Sequence, residues 1–205
     1  MQTRKKDIRT LILAVAREEF LRNGVKNTSM KTISLKSGVA VGNIYNYFEN
    51  KSDLLKAVLS PLIKAFEEYR EKNRSISYFT IDVFKYDSFL EMMYDQVASV
   101  ITPYRDEMRL LLFETAGTSL EKFFQTRQDY MLQDGIRYLQ IMKEKYPYID
   151  IDISPHFLHI LCTLWYDVVK EIVLHQDMSQ EEINLIIKDY VKFTTGGWKY
   201  LLNIP

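Results

Sequence analysis

Cysteine is almost missing from this sequence. Cys162 is the single one among 205 residues, so no intrachain disulfide can form, and its place in an apolar helical run favours a buried thiol over a reactive one. Glycine and proline are scarce too, at seven and five, and with 47% apolar residues this favours a helical globule over disorder. No uninterrupted apolar run reaches the roughly eighteen residues of a membrane span, and the N-terminus MQTRKKDIRT leads into an amphipathic pattern carrying Arg17, Glu18 and Glu19 rather than a smooth signal core. A cytoplasmic protein without a membrane partner is predicted. Enzyme signatures are lacking as well: there is no phosphate-cradling glycine loop, no G-x-S-x-G elbow and no HExxH. His156 and His159 stand i, i+3 on a helix, a spacing that can hold a metal, but no cysteine or carboxylate completes a recognisable ligand pattern. Neither a metal nor another cofactor is expected, and no catalytic residue is assigned.

Net charge is also absent, with 27 Lys and Arg against 27 Asp and Glu. The balance hides a split. Residues 1–60 carry 11 basic against 5 acidic side chains, a net of +6, and residues 61–205 carry 16 against 22, a net of −6. A basic head on an acidic body is the asymmetry expected where only the head approaches phosphates.

What the chain does contain is organised around Lys36 to Lys51, KSGVAVGNIYNYFENK. Gly38 can supply the positive φ of a tight turn, and Ala40 to Phe48 is long enough for two helical turns. Ahead of it, Ser29 to Lys36 places Met30 and Ile33 on one buried face. Two short helices across a glycine turn read as a helix-turn-helix whose second helix can enter a DNA major groove. Upstream, the basic lead Thr3 to Lys6 precedes a helix with Ile8, Leu11, Ile12, Val15, Ala16 and Phe20 as its stripe, closed by Asn23-Gly24. Thr28 or Ser29 caps the next helix and can meet a phosphate there. Within the probe helix, Ile44 and Phe48 point inward with Val39, leaving Val41, Gly42, Asn43, Tyr45, Asn46 and Tyr47 nearer the outside. Val41 can touch a thymine methyl, Gly42 permits close backbone approach, and Asn43 or Asn46 can pair with an adenine edge or hold a phosphate.

The run Gly38-Val39-Ala40-Val41-Gly42-Asn43-Ile44-Tyr45-Asn46-Tyr47-Phe48-Glu49-Asn50-Lys51, completed by Asp53, Leu54 and Leu55, resembles the signature of the TetR/AcrR transcriptional regulators. Ile12, Ala16, Phe20, Gly24, Thr28 and Ile33 sit at the offsets of that family's first two helices, so the resemblance covers roughly residues 8 to 58. Two departures stand out. Ala40 replaces the usual capping serine, which removes a cap worth roughly 1 kcal/mol; Ser34 and Ser37 replace small alanines. The resemblance implies that Tyr47 and Lys51, with Tyr45 partly shared, anchor phosphates of a near-palindromic double-stranded operator, bound by a homodimeric repressor that an unknown small, largely apolar ligand releases. An all-α fold is expected: a three-helix helix-turn-helix DNA-binding domain over residues 1–50, a connecting helix over 51–73 that transmits the ligand signal, and a helical ligand-binding and dimerisation domain over 74–205.

In the body, residues 73–86 show no helical stripe and read as a linker, and Pro61 is expected to kink or restart the connecting helix. Five helices follow. Asp87 to Thr102 forms one, and Pro103 opens the next, which runs to Glu114. Thr118 with Glu121 reads as a capping box for a helix to about Tyr146, Ser154-Pro155 starts another, and Ser179 with Glu182 is a second capping box. Tyr94, Phe113, Tyr130 and Trp165, from a larger set of aromatic and methionine residues, are the candidate ligand contacts. The last two helices carry more apolar residues than one face needs, so Leu158, Cys162, Val169, Gly196 and Trp198 are the candidate dimer contacts. Two other readings are a ligand-binding or scaffold protein with a degenerate head, favoured by Ala40, and a helical enzyme with a metal on His156 and His159.

Overall fold

Helical periodicity and few chain breakers leave little room for strands, and none occurs among the described residues. The computed structural model describes residues 2–73 and 80–204, with residues 2–4 described by their backbone alone. The side chains of Thr3 and Arg4 in the basic lead, and residues 74–79 of the expected linker, lie outside what is described. The helices are α1 (Gln2–Asn23), α2 (Met30–Ser37), α3 (Val41–Tyr45), α4 (Lys51–Asn73), α5 (Tyr86–Gln96), α6 (Arg105–Phe113), α7 (Phe123–Lys145), α8 (Pro155–Leu174) and α9 (Gln180–Leu201). Of the expected linker, Ile81–Phe84 forms a short 3-10 turn, capped where Thr80 accepts from the Asp82 amide.

The chain divides into two compact units: the described residues of Met1–Lys64 and Tyr104–Phe123, and those of Ala65–Pro103 and Phe124–Pro205. This moves the expected boundary, because residues 104–123 fold with the head rather than with the body. The ties are polar and specific. Arg17 of α1 pairs with Glu107 and, at 3.2 Å, with Asp106. Arg109 donates to the Leu21 carbonyl at 3.0 Å, and the Glu114 carboxylate accepts from the Val25 amide at 3.1 Å. Around these ties Ile12, Ala16 and Phe20 of α1 are fully buried in the same unit, as Met108, Leu110 and Leu111 of α6 are within about a per cent.

Helix α4 runs unbroken past Pro61, which was expected to kink or restart it. Proline removes the donor that would serve the Ala57 carbonyl one turn back. The neighbouring Ser60 hydroxyl donates to that carbonyl at 2.9 Å, so the acceptor keeps a partner where the chain is exposed. Thr118 and Glu121 do not cap a long helix. Thr118 donates to Thr115 at 2.7 Å within a series of turns, and α7 begins only at Phe123. At α9 the expected capping box is present in both directions between Ser179 and Glu182. After α5, Val97–Ile101 continues as a π-helical turn, and Pro103 sits in the 3-10 turn that precedes α6.

Candidate functional site

The first candidate site lies on the head. α1 ends at Gly24 with φ +78°, and α2 ends at Gly38 with φ +68°, the left-handed conformation that glycine adopts without strain. Ser29 caps α2, its hydroxyl accepting from the Thr32 amide at 3.0 Å. α3 has no such cap: Ala40 offers only its carbonyl, which takes the Asn43 and Ile44 amides at 2.8 and 3.1 Å. The helix spans only Val41–Tyr45, and 3-10-type bonds finish its last turn through Tyr47. Ile44 and Phe48 are buried as their spacing requires, while Val41 at 41% and Tyr45 at 51% exposure stand out with Gly42 and Asn46. Asn43 and Tyr47 are half-buried, and the Asn46 amide reaches the Asn43 side-chain oxygen at 3.4 Å. α3 therefore presents one apolar face inward and one mixed polar and apolar face outward.

Two expected contact residues are turned inward. Thr28 is 1% exposed, and its hydroxyl donates to the Gly24 carbonyl at 2.9 Å and the Glu19 carbonyl at 3.2 Å, so it ties the loop between α1 and α2 rather than facing outward. Lys51 directs its ammonium to three carbonyls of the same loop, Val25 at 2.6 Å, Thr28 at 2.8 Å and Lys26 at 3.3 Å. An ammonium has three protons, and each finds an acceptor here. Asn50 caps α4 by accepting from the Asp53 amide at 2.9 Å. Glu19, buried within the head, receives Lys36 at 2.6 Å and Asn23 at 3.0 Å.

The second candidate site is a cavity of about 520 Å³ in the other unit, within the range of small-molecule sites. Five helices supply its walls. Helix α7 contributes a face with Arg127, Tyr130, Asp134, Gly135 and Tyr138; α4, α5, α8 and α9 add Phe66, Met93, Trp165 and Tyr190, among others. Aromatic rings dominate the lining, and Trp165 and Tyr190 pack at 5.2 Å between centroids. Burial pushes the Tyr190 phenol up from its ordinary value, so it stays a neutral donor. Of the ligand contacts expected from sequence, Tyr130 and Trp165 line this cavity. Tyr94 does not; its hydroxyl is directed at the Asn184 carbonyl, 3.5 Å away. Phe113 belongs to the other unit, where it is exposed.

Helices α8 and α9 carry a surplus apolar face, but in a different register from the one expected. Leu158 packs in a cluster with Phe84, Leu139 and Leu202, Val169 is buried, and Trp198 packs on Phe84 at 5.8 Å. Cys162 is half-buried, and burial pushes its thiol up to about 11. Leu158, Val169 and Trp198 are thus packed inside the protomer, while Gly196 of the expected set is exposed. The outward stripe is Phe157 and Ile160 on α8 with Leu185, Phe193 at 71% and Tyr200 at 89% exposure on α9. Among the described residues no three His, Cys, Asp or Glu side chains gather in a metal-binding group, and no helix is long and apolar enough to cross a membrane.

The sequence model of the bacterial regulatory proteins, tetR family, matches residues 12–58, which span α1, both short helices and the start of α4. Over these residues the head of the chain is similar to the TetR family. Members of the family are transcriptional regulators and not enzymes. The HTH-type transcriptional regulator UidR of Escherichia coli (strain K12) is 32% identical over 110 residues, covering 53% of this chain and 56% of that relative, so the match spans about half of its length. Among solved structures, a regulator ascribed to the TetR family from Syntrophomonas wolfei str. Goettingen superposes with a TM-score of 0.64 at 21% identity, covering 94% of this chain and 97% of that one. NalD, the secondary repressor of the MexAB-OprM multidrug efflux pump in Pseudomonas aeruginosa, gives 0.57 at 19% identity, covering 94% and 96%. At these identities the structures share the fold.

Several features of this chain escaped the sequence reading. Arg70, Arg127 and Arg137 line the cavity, and none of them was among the candidate ligand contacts. A signal was present in α7, where Arg127, Tyr130 and Met131, Asp134 and Gly135, and Tyr138 recur at i, i+3/i+4 and mark one helical face. The outward stripe of α8 and α9 was also present as a spacing, but Leu158 and Phe157 are one residue apart and periodicity alone does not say which faces inward.

Proposed function

We propose that this protein is a homodimeric transcriptional repressor that binds a near-palindromic DNA operator and is released when a small molecule enters the cavity. The observation that carries the reading is the two-faced α3: Ile44 and Phe48 anchor it, while Val41, Gly42, Tyr45 and Asn46 stand outward on the basic head. In this reading Val41, Gly42, Asn43, Tyr45 and Asn46 meet base edges, Ser29 and Tyr47 meet flanking phosphates, and Thr28 and Lys51 hold the loop that positions them. The stripe of Phe157, Ile160, Phe193 and Tyr200 supports pairing of α8 and α9 with a second copy, which would bring two probe helices to two half-sites. Helix α4 runs from the first unit into the second and supports a role in transmission. A cytoplasmic location follows from this work on DNA.

The test is selection of bound fragments from the source genome, with affinity measured against salt. Recovered sites with two-fold symmetry, bound by a dimer and weakening steeply as salt rises, are expected. Protein that stays monomeric and ignores DNA at low ionic strength would overturn the proposal.

A further inference from the structure

The charged groups of the cavity select among ligands. Its lining holds three guanidinium groups, Arg70, Arg127 and Arg137, against one carboxylate, Asp134. Asp134 is already engaged by Arg70 at 3.5 Å. Arg127 is held by Glu67 at 2.9 Å and lies over the Phe66 ring at 4.7 Å. Arg137, which is exposed where it borders the cavity, has no ion-pair or hydrogen-bond partner among the described residues. A cationic guest would thus find no unengaged carboxylate and would meet an unpaired positive charge. Deeper in the lining, the Tyr190 hydroxyl and the Gln96 amide also have no hydrogen-bond partner among the described residues. A wholly apolar guest would leave these groups unmatched.

Resting on the reading of this cavity as the effector site, we propose that its ligand is an aromatic carboxylate: a flat ring system stacked among Phe66, Trp165 and Tyr190, with its anionic group toward Arg137. The expected apolar ligand keeps its apolar body and gains an acidic head. Arginine suits that head, because its planar fork can donate two parallel bonds to a carboxylate. The aromatic lining suits a ring, since offset and edge-on ring contacts add to area burial.

Calorimetric titration of the full chain with three probes of matched shape tests this: naphthoate, its methyl ester and naphthylmethylammonium. Naphthoate is expected to bind roughly tenfold or more tightly than the ester, with the ammonium weakest. Arg137→Gln should bring naphthoate down to the ester's affinity and leave the ester unchanged. Gly135 lines the cavity and a Cβ there meets nothing within 4 Å, so Gly135→Leu should block both probes without disturbing the packing. Equal binding of acid and ester, or an unchanged ratio in Arg137→Gln, overturns the acidic ligand and leaves the cavity reading standing. Binding that survives Gly135→Leu, or no binding of any probe to protein that still binds DNA, overturns the cavity reading and the ligand class together.

Discussion

Replacing Lys51 with methionine separates two roles that one ammonium can play. The side chain keeps its length and apolar stem, so the change removes the charge and three hydrogen bonds to the loop after α1. Of the three acceptors, the carbonyls of Val25 and Thr28 are partly buried, and that of Lys26 is exposed and regains water. Leaving a buried acceptor unsatisfied costs about 1–3 kcal/mol. Two partly buried carbonyls, discounted for their residual access to water, give about 2 kcal/mol of lost stability in the head. For a chain of this size that is a fall of about 4–8 °C in melting midpoint, read by far-ultraviolet circular dichroism. Because the ammonium already has its acceptors, the slope of DNA affinity against salt should stay the same, and affinity should fall uniformly through the loosened loop. An unchanged midpoint together with a salt slope reduced by about one would refute this reasoning and return Lys51 to a phosphate.

Asn43→Ala should change preference among operator variants by about 1–3 kcal/mol at one base position with an unaltered salt slope, measured by competition binding; an equal loss on every sequence would remove Asn43 from base reading. Gly135→Ala should stabilise the protein by about 0.5–1 kcal/mol, since glycine is a poor helix former and the added Cβ meets only open space; a lowered thermal midpoint would contradict the packing described. The Cys162 thiol, held near 11 by burial rather than at its ordinary value of 9.0, should at pH 8 react with iodoacetamide roughly a hundredfold more slowly in folded protein than in urea. The sign follows from the raised value: the protonated thiol favours the folded state below the unfolded value, and that contribution is lost as pH rises through about 11. Equal alkylation rates in both states would disprove it.

Much of the head was legible in sequence because its constraints are local. Gly24 and Gly38 take the left-handed conformation their positions implied, Ile44 and Phe48 turn inward, and Ala40 leaves α3 without a side-chain cap. Each follows from neighbours within about one helical turn. What the sequence concealed depends on partners far along the chain. Thr28 and Lys51 match a DNA-binding pattern by position, yet their polar atoms meet carbonyls of a loop whose path is not visible in one dimension. Phe157 and Leu158 are both apolar, and only packing against Phe84 and Leu139 shows that the second faces inward. Pro61 read as an interruption because the repair by Ser60 requires knowing where its hydroxyl points.

The return of residues 104–123 to the head has a consequence for how this protein is made and how it can be cut. During synthesis the first sixty-four residues leave the ribosome before the segment that supplies the partners of Arg17, Leu21 and Val25. A fragment ending after α4 would therefore lack α6 and its buried Met108, Leu110 and Leu111, along with the Glu114 carboxylate that ties down the loop leading to α2. The partners of Arg17, Leu21 and Val25 thus reach the N-terminal residues only once the chain has been made past Glu114.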